Sequence, residues 1–548
     1  MIWRWLERHA DHAPDKVALR FEAAAISYGE LAWQAEAAAN ALSALGIGRG
    51  DRVGFLGHNH PSQIVLLFAC ARLGAIQVPL NWRLARPEWS FILADSGTRL
   101  LCATPGPLDA ARAAAPEGCA VADATRLEPG EAVPPLGRDE DPLLLVYTSG
   151  TTGRPKGALL DQRALLFNAL NALHAFGLGA GDRVLTVLPL FHVGGLNIQT
   201  TPALYAGAEV VLQERFDADA FFDALERDRP TLSLLVPAVM KALATHPRWR
   251  DADLGSLRAI GAGSSDVPVP LIEAFHAKGV PVQQIYGATE TCPIAIVQTR
   301  AEALAWPGSI GRPALHAECR LHAVSGEIQV RGPAVLRGYW KRDDALLPGG
   351  WFATGDVGRV DEAGRWWFTD RTKHVIISGG ENIYPAEVER ILATAPGVAE
   401  GAVIGLSDPH WGEVPVAVVL PGPGFDPGRV LAHFEGQIAR FKRPRRVIAV
   451  DALPRTALGK VSIAELKAMV GGAAEACQLG SMAGAAEPSS CAGCSSFSAT
   501  PVAPSRRAAA SSQSSFPAAS DGFSPAARIL LMQLRSASVR PRRGAQVR

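Results

Sequence analysis

A loop rich in glycine and hydroxyl residues carries the most distinctive chemistry in this sequence. Its candidate phosphate-binding residues are Thr148, Ser149, Gly150, Thr151, Thr152, Gly153 and Lys156. Small residues let backbone N–H groups crowd around an anion, hydroxyls add donors, and the lysine adds a positive charge. The order of glycines and lysine is not that of a Walker A motif. A plain surface turn is the alternative, but the apolar strand predicted over 143–147 favours a polyphosphate site.

Two later segments add candidate ligands for a nucleotide. Tyr286 can stack on an adenine ring, and Gly287 leads into a loop where Thr289 can donate to a phosphate. Glu290 offers the oxygen atoms that Mg²⁺ prefers, the alternative being a simple charge at a helix start. Asp356 follows an aromatic strand and a glycine, and its acceptor oxygens suit the two hydroxyls of a ribose.

Other residues could contact the substrate. His192 lies at the end of a predicted strand, before a Gly-Gly pair, although a histidine with a purely structural hydrogen bond would fit the same pattern. Gly261 and Ala262 enter a glycine turn whose bare backbone would let a flat ring lie close. Lys460 ends a glycine-flanked loop and could swing into a distant site.

The elements that must position these residues alternate between strand and helix. A helix is predicted over 28–45, a strand over 51–57, a buried helix over 62–73 and a strand over 75–78, which ends before Pro79. Such alternation predicts α/β layers around a largely parallel sheet. From residue 376 to about 470 the pattern becomes that of a small α+β domain.

Taken in order over residues 1 to about 470, these motifs resemble the signature of the adenylate-forming (AMP-binding) superfamily, in its acyl- and aryl-CoA synthetase branch. The resemblance implies an ATP- and acyl-binding N-terminal domain over 1–372 and a mobile C-terminal domain over 373–471. Lys373 would be the hinge between them. Residues 472–548, rich in Ala, Ser, Pro and Arg, are predicted to form a disordered tail.

The resemblance also implies roles for single residues. Arg371 would add a second ribose donor beside Asp356, and His192 would border the acyl pocket and the path of the pantetheine arm. The residues expected to act in catalysis are His192, Thr289, Glu290 and Lys460, and those expected to contact coenzyme A are Gly379, Gly380, Phe441 and Arg443.

The predicted function is an ATP-dependent carboxylic acid–CoA ligase. An acid, fatty or aryl, would attack ATP to form an acyl-AMP, and the thiol of coenzyme A would then displace AMP, with Mg²⁺ as cofactor. Transfer of the acyl group to another thiol or to a carrier protein is the alternative. A nucleotide-binding switch would not need Lys460 or a pocket histidine, and the G-x-S-x-G and G-x-G-x-x-G motifs are both absent from the sequence.

Composition limits the partners. The chain has 548 residues and a net charge of +1, which gives no electrostatic case for nucleic acid. The charged N-terminus is unlike a secretory signal, and no uncharged apolar run approaches the roughly 20 residues of a membrane helix. Single scattered cysteines are typical of a cytoplasmic protein, and the lone Cys491-x-x-Cys494 pair is interpreted as chance. A homodimer is also considered.

Overall fold

The computed structural model describes residues 1–148, 155–263, 267–342, 344–371, 375–454, 461, 463 and 465–470. We call the described residues up to 371 the large lobe and those from 375 the small lobe. The large lobe is built from layered sheets and helices and the small lobe is α+β, which confirms the predicted fold class. Several predicted residues lie outside the described ranges: Ser149, Gly150, Thr151, Thr152, Gly153, Lys373, Lys460 and the segment 472–548.

The first sheet of the large lobe is mostly parallel. In spatial order its strands are Arg312–Pro313, Ile296–Val297, Val282–Tyr286, Ala259–Gly263, Leu232–Leu235, Arg183–Thr186, Glu209–Leu212, Val17–Phe21 and Ala24–Ser27. The six strands from Val282–Tyr286 to Val17–Phe21 pair in parallel, and the outer strands are antiparallel. Because parallel strands start and end together, the loops after them collect at one edge of the sheet.

The second sheet of the large lobe delivers the phosphate loop. Its strands, in spatial order, are Gly338–Tyr339, Lys156–Asp161, Pro142–Thr148, Ile76–Leu80, Arg52–Leu56, Leu100–Ala103 and Ala120–Asp123. Strand Pro142–Thr148 pairs antiparallel with Lys156–Asp161, so the loop between them is the predicted phosphate loop. The apolar run at its start is fully buried, as expected for a strand covered on both faces.

Two further sheets complete the described residues. An antiparallel sheet of the large lobe contains Glu318–Leu321, Glu327–Arg331, Phe352–Val360 and Trp366–Arg371. The small-lobe sheet contains Glu381–Ile383, Ile376–Ser378, Gly412–Pro421, Val398–Asp408 and Arg446–Ala449, of which the last is parallel to its neighbour. The first of these sheets carries Asp356, and the second carries Glu381 at the start of a strand.

The helices cover the sheets. Those of the large lobe are Arg4–His12, Tyr28–Ala44, Pro61–Leu73, Arg86–Ser96, Leu108–Ala114, Gln162–Phe176, Val193–Gly195, Thr201–Ala206, Ala218–Arg227, Pro237–Ala244, Val269–His276 and Arg300–Ala305. The small lobe has Pro385–Leu392 and Pro427–His433, and single 3₁₀ or π turns occur at Leu196–Thr200, Pro247–Trp249, Thr289–Thr291 and Arg440–Lys442. No helix in the described part of the chain is both long enough and apolar enough to cross a membrane.

The local predictions are confirmed with small shifts at the boundaries. The helix expected over 28–45 spans Tyr28–Ala44, capped by Ser27, whose hydroxyl accepts from the Glu30 N–H. The strand expected to end before Pro79 instead continues to Leu80. Pro79 lies opposite Phe55 in the parallel pair with strand Arg52–Leu56, whereas the pairing with the phosphate-loop strand is confined to Gln77, so the proline falls outside that second ladder.

Candidate active site

A cavity of about 550 Å³ lies where the two lobes meet. This volume is within the usual range of small-molecule sites. Predicted site residues that line it are Thr148, Lys156, His192, Gly287, Thr289, Glu290, Asp356, Gly379, Gly380 and Phe441. Since these residues come from four separate sheets and the loops after them, the fold brings the candidate nucleotide, acyl and coenzyme A residues to one place.

Four predicted residues are not on the described cavity wall. Gly261 and Ala262 are buried in strand Ala259–Gly263, one layer behind it. Tyr286 is not on the cavity wall either, but its hydroxyl donates a hydrogen bond to Asp356, which is on the wall. Arg443 donates to the backbone carbonyl of Ile438 instead of reaching the cavity.

Tyr286 and Asp356 form a pair across two sheets. The Tyr286 hydroxyl donates to Asp356 Oδ2 at 2.9 Å, and Asp356 is buried, with 8% exposure. Asp356 also lies opposite Arg371 in the antiparallel strand pair. The three residues expected to surround an adenosine are therefore adjacent in the fold, and the hydrogen bond fixes the aspartate in its orientation.

Glu290 is a buried carboxylate on the cavity wall. The Tyr339 hydroxyl donates to Glu290 Oε1 at 2.8 Å, and the Lys156 ammonium lies 5.3 Å from the centre of the Tyr339 ring. Burial raises the pKa of Glu290, and the Tyr339 bond and the Lys156 charge offset this only in part. A divalent cation at this carboxylate would favour its ionised form.

His192 contacts the small lobe directly. Its Nε2 lies 3.1 Å from Glu381 Oε2, and Glu381 also forms an ion pair with Arg83 of the large lobe. Burial acts to raise the pKa of Glu381, but His192 and Arg83 together lower it to about 2. Glu381 is therefore ionised near neutral pH and joins the two lobes at the mouth of the cavity.

Two glycines shape the turn before Glu381. Gly379 and Gly380 have φ values of +59° and +85°, which side chains rarely adopt. A Cβ on Gly379 would lie 2.7 Å from the Trp411 ring, and one on Gly380 would lie 3.5 Å from Val236 of the large lobe. Gly379 therefore leaves the space that the Trp411 ring of the same lobe occupies, while Gly380 is at ordinary contact distance from Val236. We expect a side chain at Gly379 to disrupt the turn before Glu381.

A second contact between the lobes is buried. Lys442 and Glu387, each 3% exposed, pair within the small lobe at 2.9 Å. Lys442 Nζ also donates to Glu88 Oε1 of the large lobe at 3.0 Å, and Glu88 Oε2 accepts from the Ala439 N–H at 2.9 Å. The two carboxylates raise the pKa of Lys442 despite its burial, so the lysine is charged.

Sequence reasoning missed the partners of the predicted residues. Tyr339, Arg83, Glu381, Glu88 and Lys442 were not selected. Glu381 and Lys442 do fall inside segments that the resemblance singles out, next to Gly380 and Phe441, so proximity to those motifs was an available signal. Tyr339 and Arg83 have no such signal, because their roles depend on contacts with distant segments.

Comparison with protein families gives two matches along the chain. The model described as "AMP-binding enzyme" matches residues 6–340, and that described as "AMP-binding enzyme C-terminal domain" matches residues 387–460. Together they cover most of the large lobe and much of the small lobe.

Curated relatives align over most of their own length. The chain is 49% identical over 496 residues to the indoleacetate–CoA ligase of Aromatoleum aromaticum, covering 85% of this chain and 97% of the relative. It is 42% identical over 484 residues to a feruloyl-CoA synthase of an Amycolatopsis species, covering 85% and 98%.

Solved structures of one relative match to different degrees. A double mutant of the o-succinylbenzoate CoA synthetase of Bacillus subtilis, bound with its product analogue OSB-NCoA, gives a TM-score of 0.79 at 32% identity. The same enzyme with its acyl-adenylate intermediate OSB-AMP gives 0.64, also at 32% identity. Each covers 85% of this chain and 98% of the solved chain.

Proposed function

Because this chain belongs to the family of AMP-binding enzymes, we propose that the acid it joins to coenzyme A is an aromatic monocarboxylic acid. The chain is an AMP-forming acid–CoA ligase. The observation that supports an aromatic acid is the apolar part of the cavity wall, formed by Phe191, Val193, Ile198, Val236 and Val239. The two curated relatives and the solved relative are named for acids that contain a ring.

The reaction has two steps, and in both the protein acts by holding reactants in line. First the carboxylate oxygen attacks the α-phosphorus of ATP, the bond to the bridging oxygen breaks, and pyrophosphate leaves. Then the thiol of coenzyme A attacks the carbonyl carbon of the acyl-AMP, AMP leaves and the thiol proton is released. In our proposal the backbone donors of loop 149–153 and the ammonium groups of Lys156 and Lys460 balance the phosphate charge.

Adenosine recognition is assigned to the paired residues of the large lobe. Tyr286 and Asp356 support this role because their hydrogen bond orients the aspartate toward the cavity that it lines. Thr289 lines the same cavity and would donate to a phosphate oxygen. Arg371 would provide the second contact to the ribose.

Magnesium is assigned to Glu290. The fit rests on the donor type, since a carboxylate oxygen held on the cavity wall by the Tyr339 hydroxyl is the kind of ligand that Mg²⁺ takes alongside phosphate oxygens. A solved structure of the Bacillus subtilis enzyme contains ATP and a magnesium ion. When bound, the ion would neutralise negative charge on the phosphates.

The arrangement of the lobes supports the second step. The match is better to the relative bound with its product analogue than to the same relative with its acyl-adenylate, at equal identity and coverage. In this arrangement Gly379, Gly380 and Phe441 line the cavity, where the pantetheine arm of coenzyme A would pass beside His192. Lys460 would reach the cavity only after rotation of the small lobe about Lys373.

The cellular setting is part of the proposal. We assign the enzyme to the cytoplasm, which is supported by the free buried thiols of Cys70, Cys102 and Cys292. A homodimer remains a prediction, and coenzyme A is preferred over a carrier protein as the acyl acceptor.

A panel of acids tests the substrate. Pyrophosphate release is measured with arylacetates, cinnamates, benzoates, fatty acids, dicarboxylates and amino acids, with and without coenzyme A. We expect an aryl monocarboxylate to have the highest kcat/KM. A fatty acid, dicarboxylate or amino acid that exceeds every aryl acid tenfold would contradict the proposal.

A further inference from the structure

Gln199 carries a buried side-chain amide on the segment that follows His192. Its side chain is 1% exposed, and neither Nε2 nor Oε1 has a partner among the described residues. Its polar neighbours on the same helical segment are satisfied: Asn197 Nδ2 contacts Cys292 Sγ at 3.5 Å, and Thr200 Oγ1 donates to the Gly195 carbonyl at 2.7 Å. Buried polar atoms are normally paired, so this amide needs an explanation.

The amide lies directly behind the apolar end of the main cavity. Gln199 belongs to the π turn Leu196–Thr200, next to Ile198, which lines that cavity. A smaller cavity of about 10 Å³, room for about one water molecule, contains Gln199 and shares Leu188 and Gly195 with the main cavity as a common wall. Single π turns often occur at functional sites.

Two glycines lie beside the amide. Gly195 lines both cavities, and a Cβ there would lie 2.3 Å from the Pro189 carbonyl oxygen, so this close approach of two backbone segments requires glycine. A Cβ on Gly261 would lie 2.9 Å from Ile285 Cδ1, 3.0 Å from Leu234 Cδ1 and 3.2 Å from Gln199 Nε2, so any residue but glycine there would crowd the amide and its two apolar neighbours. The amide is therefore closely packed, yet its polar atoms have no partner among the described residues.

We propose that Gln199 determines specificity by hydrogen bonding to a polar atom on the ring of the acid. The inference rests on the proposed aryl substrate and narrows its class to rings that carry an N–H or O–H at the end remote from the carboxylate. An amide can accept through Oε1 and donate through Nε2, so either group finds a complement. An acid without such an atom leaves the amide unpaired, and the site discriminates against it.

The test compares acids of the same shape. Indole-3-acetate is paired with 1-benzothiophene-3-acetate, in which sulfur replaces the ring N–H, and 4-hydroxyphenylacetate is paired with phenylacetate. For the wild-type enzyme we expect kcat/KM to favour the polar member of at least one pair by on the order of tenfold or more. Gln199→Leu should bring that ratio near one by removing activity with the polar acid, and should not lower Tm, because it deletes unpaired polar atoms.

Thr200→Val is the matched control. It removes a hydroxyl from the same small cavity, but one that already has partners, so Tm should fall while the ratio between paired acids is retained. Gln199→Met, of similar length, replaces Gln199→Leu if the latter does not fold.

Each outcome is decisive. A wild-type ratio near one, or a ratio that survives loss of the amide, would mean that Gln199 holds a buried water only, and the inference would be overturned while the aryl substrate stands. Efficient use of fatty acids with no turnover of any aryl acid would instead overturn the proposed function.

Discussion

His192 of the large lobe and Glu381 of the small lobe meet at the mouth of the cavity, with His192 Nε2 3.1 Å from Glu381 Oε2. The two residues are 189 positions apart in the sequence, and Arg83 completes the contact from a third segment. Since the partners belong to different lobes, rotation of the small lobe must break this contact. The His192–Glu381 contact is therefore specific to the present arrangement of the lobes and would be absent after the small lobe rotates.

Glu381→Gln should slow thioester formation more than adenylation. Replacing the carboxylate by a neutral amide removes a charge-assisted bond of about 1.5–3 kcal/mol that holds the lobes in this arrangement. We expect the rate of thioester formation from supplied acyl-AMP to fall about tenfold, with adenylation nearly unchanged, by single-turnover measurement. Glu413→Gln is the control and should affect neither step, because Glu413 contacts Ile377 and Lys467 within the small lobe.

Glu290→Gln should stabilise the ligand-free protein while strongly lowering turnover. Burial raises the pKa of Glu290 above its ordinary value of 4.5. The folded protein then holds the proton more tightly than the unfolded chain, so the stability from this group is present below pH 4.5 and is lost as the pH rises through the raised pKa.

Because the pKa of Glu290 is raised, the effect of its substitution on Tm should depend on pH. The Tm gain of Glu290→Gln over wild type should be larger at pH 7.5 than at pH 5, and kcat should fall on the order of 10²-fold or more. A gain that is equal at both pH values, or larger in acid, would contradict the ionisation described for Glu290.

Lys442→Met should be strongly destabilising. It leaves the buried Glu387 and the partly buried Glu88 facing one another without their shared cation. Breaking a buried ion pair from one side costs about 3–5 kcal/mol in urea unfolding. The double variant Lys442→Met/Glu387→Gln should recover part of the loss. Lys278→Met, at a half-buried position where the ammonium donates to the Arg250 carbonyl and faces no carboxylate, should change stability by less than about 1.5 kcal/mol. If the single and double variants lose the same free energy of unfolding, Lys442 and Glu387 are not energetically coupled.

Lys460→Ala should separate the two steps. Loss of one charged donor aimed at developing phosphate charge costs on the order of 10²–10³ in rate, so adenylation should fall by that factor. With ready-made acyl-AMP and coenzyme A, thioester formation should stay close to normal. Arg455→Ala, which removes a cation five positions earlier in the sequence, serves as the control. If Lys460→Ala slows both steps equally, rotation of the small lobe between steps is not the mechanism.

The sequence by itself was sufficient for the chemistry class and for most elements. Thr148 ends its strand and Glu290 lies in a 3₁₀ turn shortly after strand Val282–Tyr286, where local pattern and spacing are visible along the chain. Asp356, expected after a strand, instead lies within strand Phe352–Val360, because the strand continues past the glycine that precedes it. Glycine turns and strand ends depend on neighbouring residues, so helix Tyr28–Ala44 and the phosphate-loop strand could be predicted without tertiary information.

Only the tertiary structure decided which residues support those ligands. Arg83 and Glu381 are separated by 298 positions, and Tyr339 reaches Glu290 across 49. The absence of a partner for Gln199 among the described residues is likewise a property of its surroundings. Such contacts depend on how sheets and lobes pack, and packing is the sum of many weak interactions between distant segments that no local pattern records.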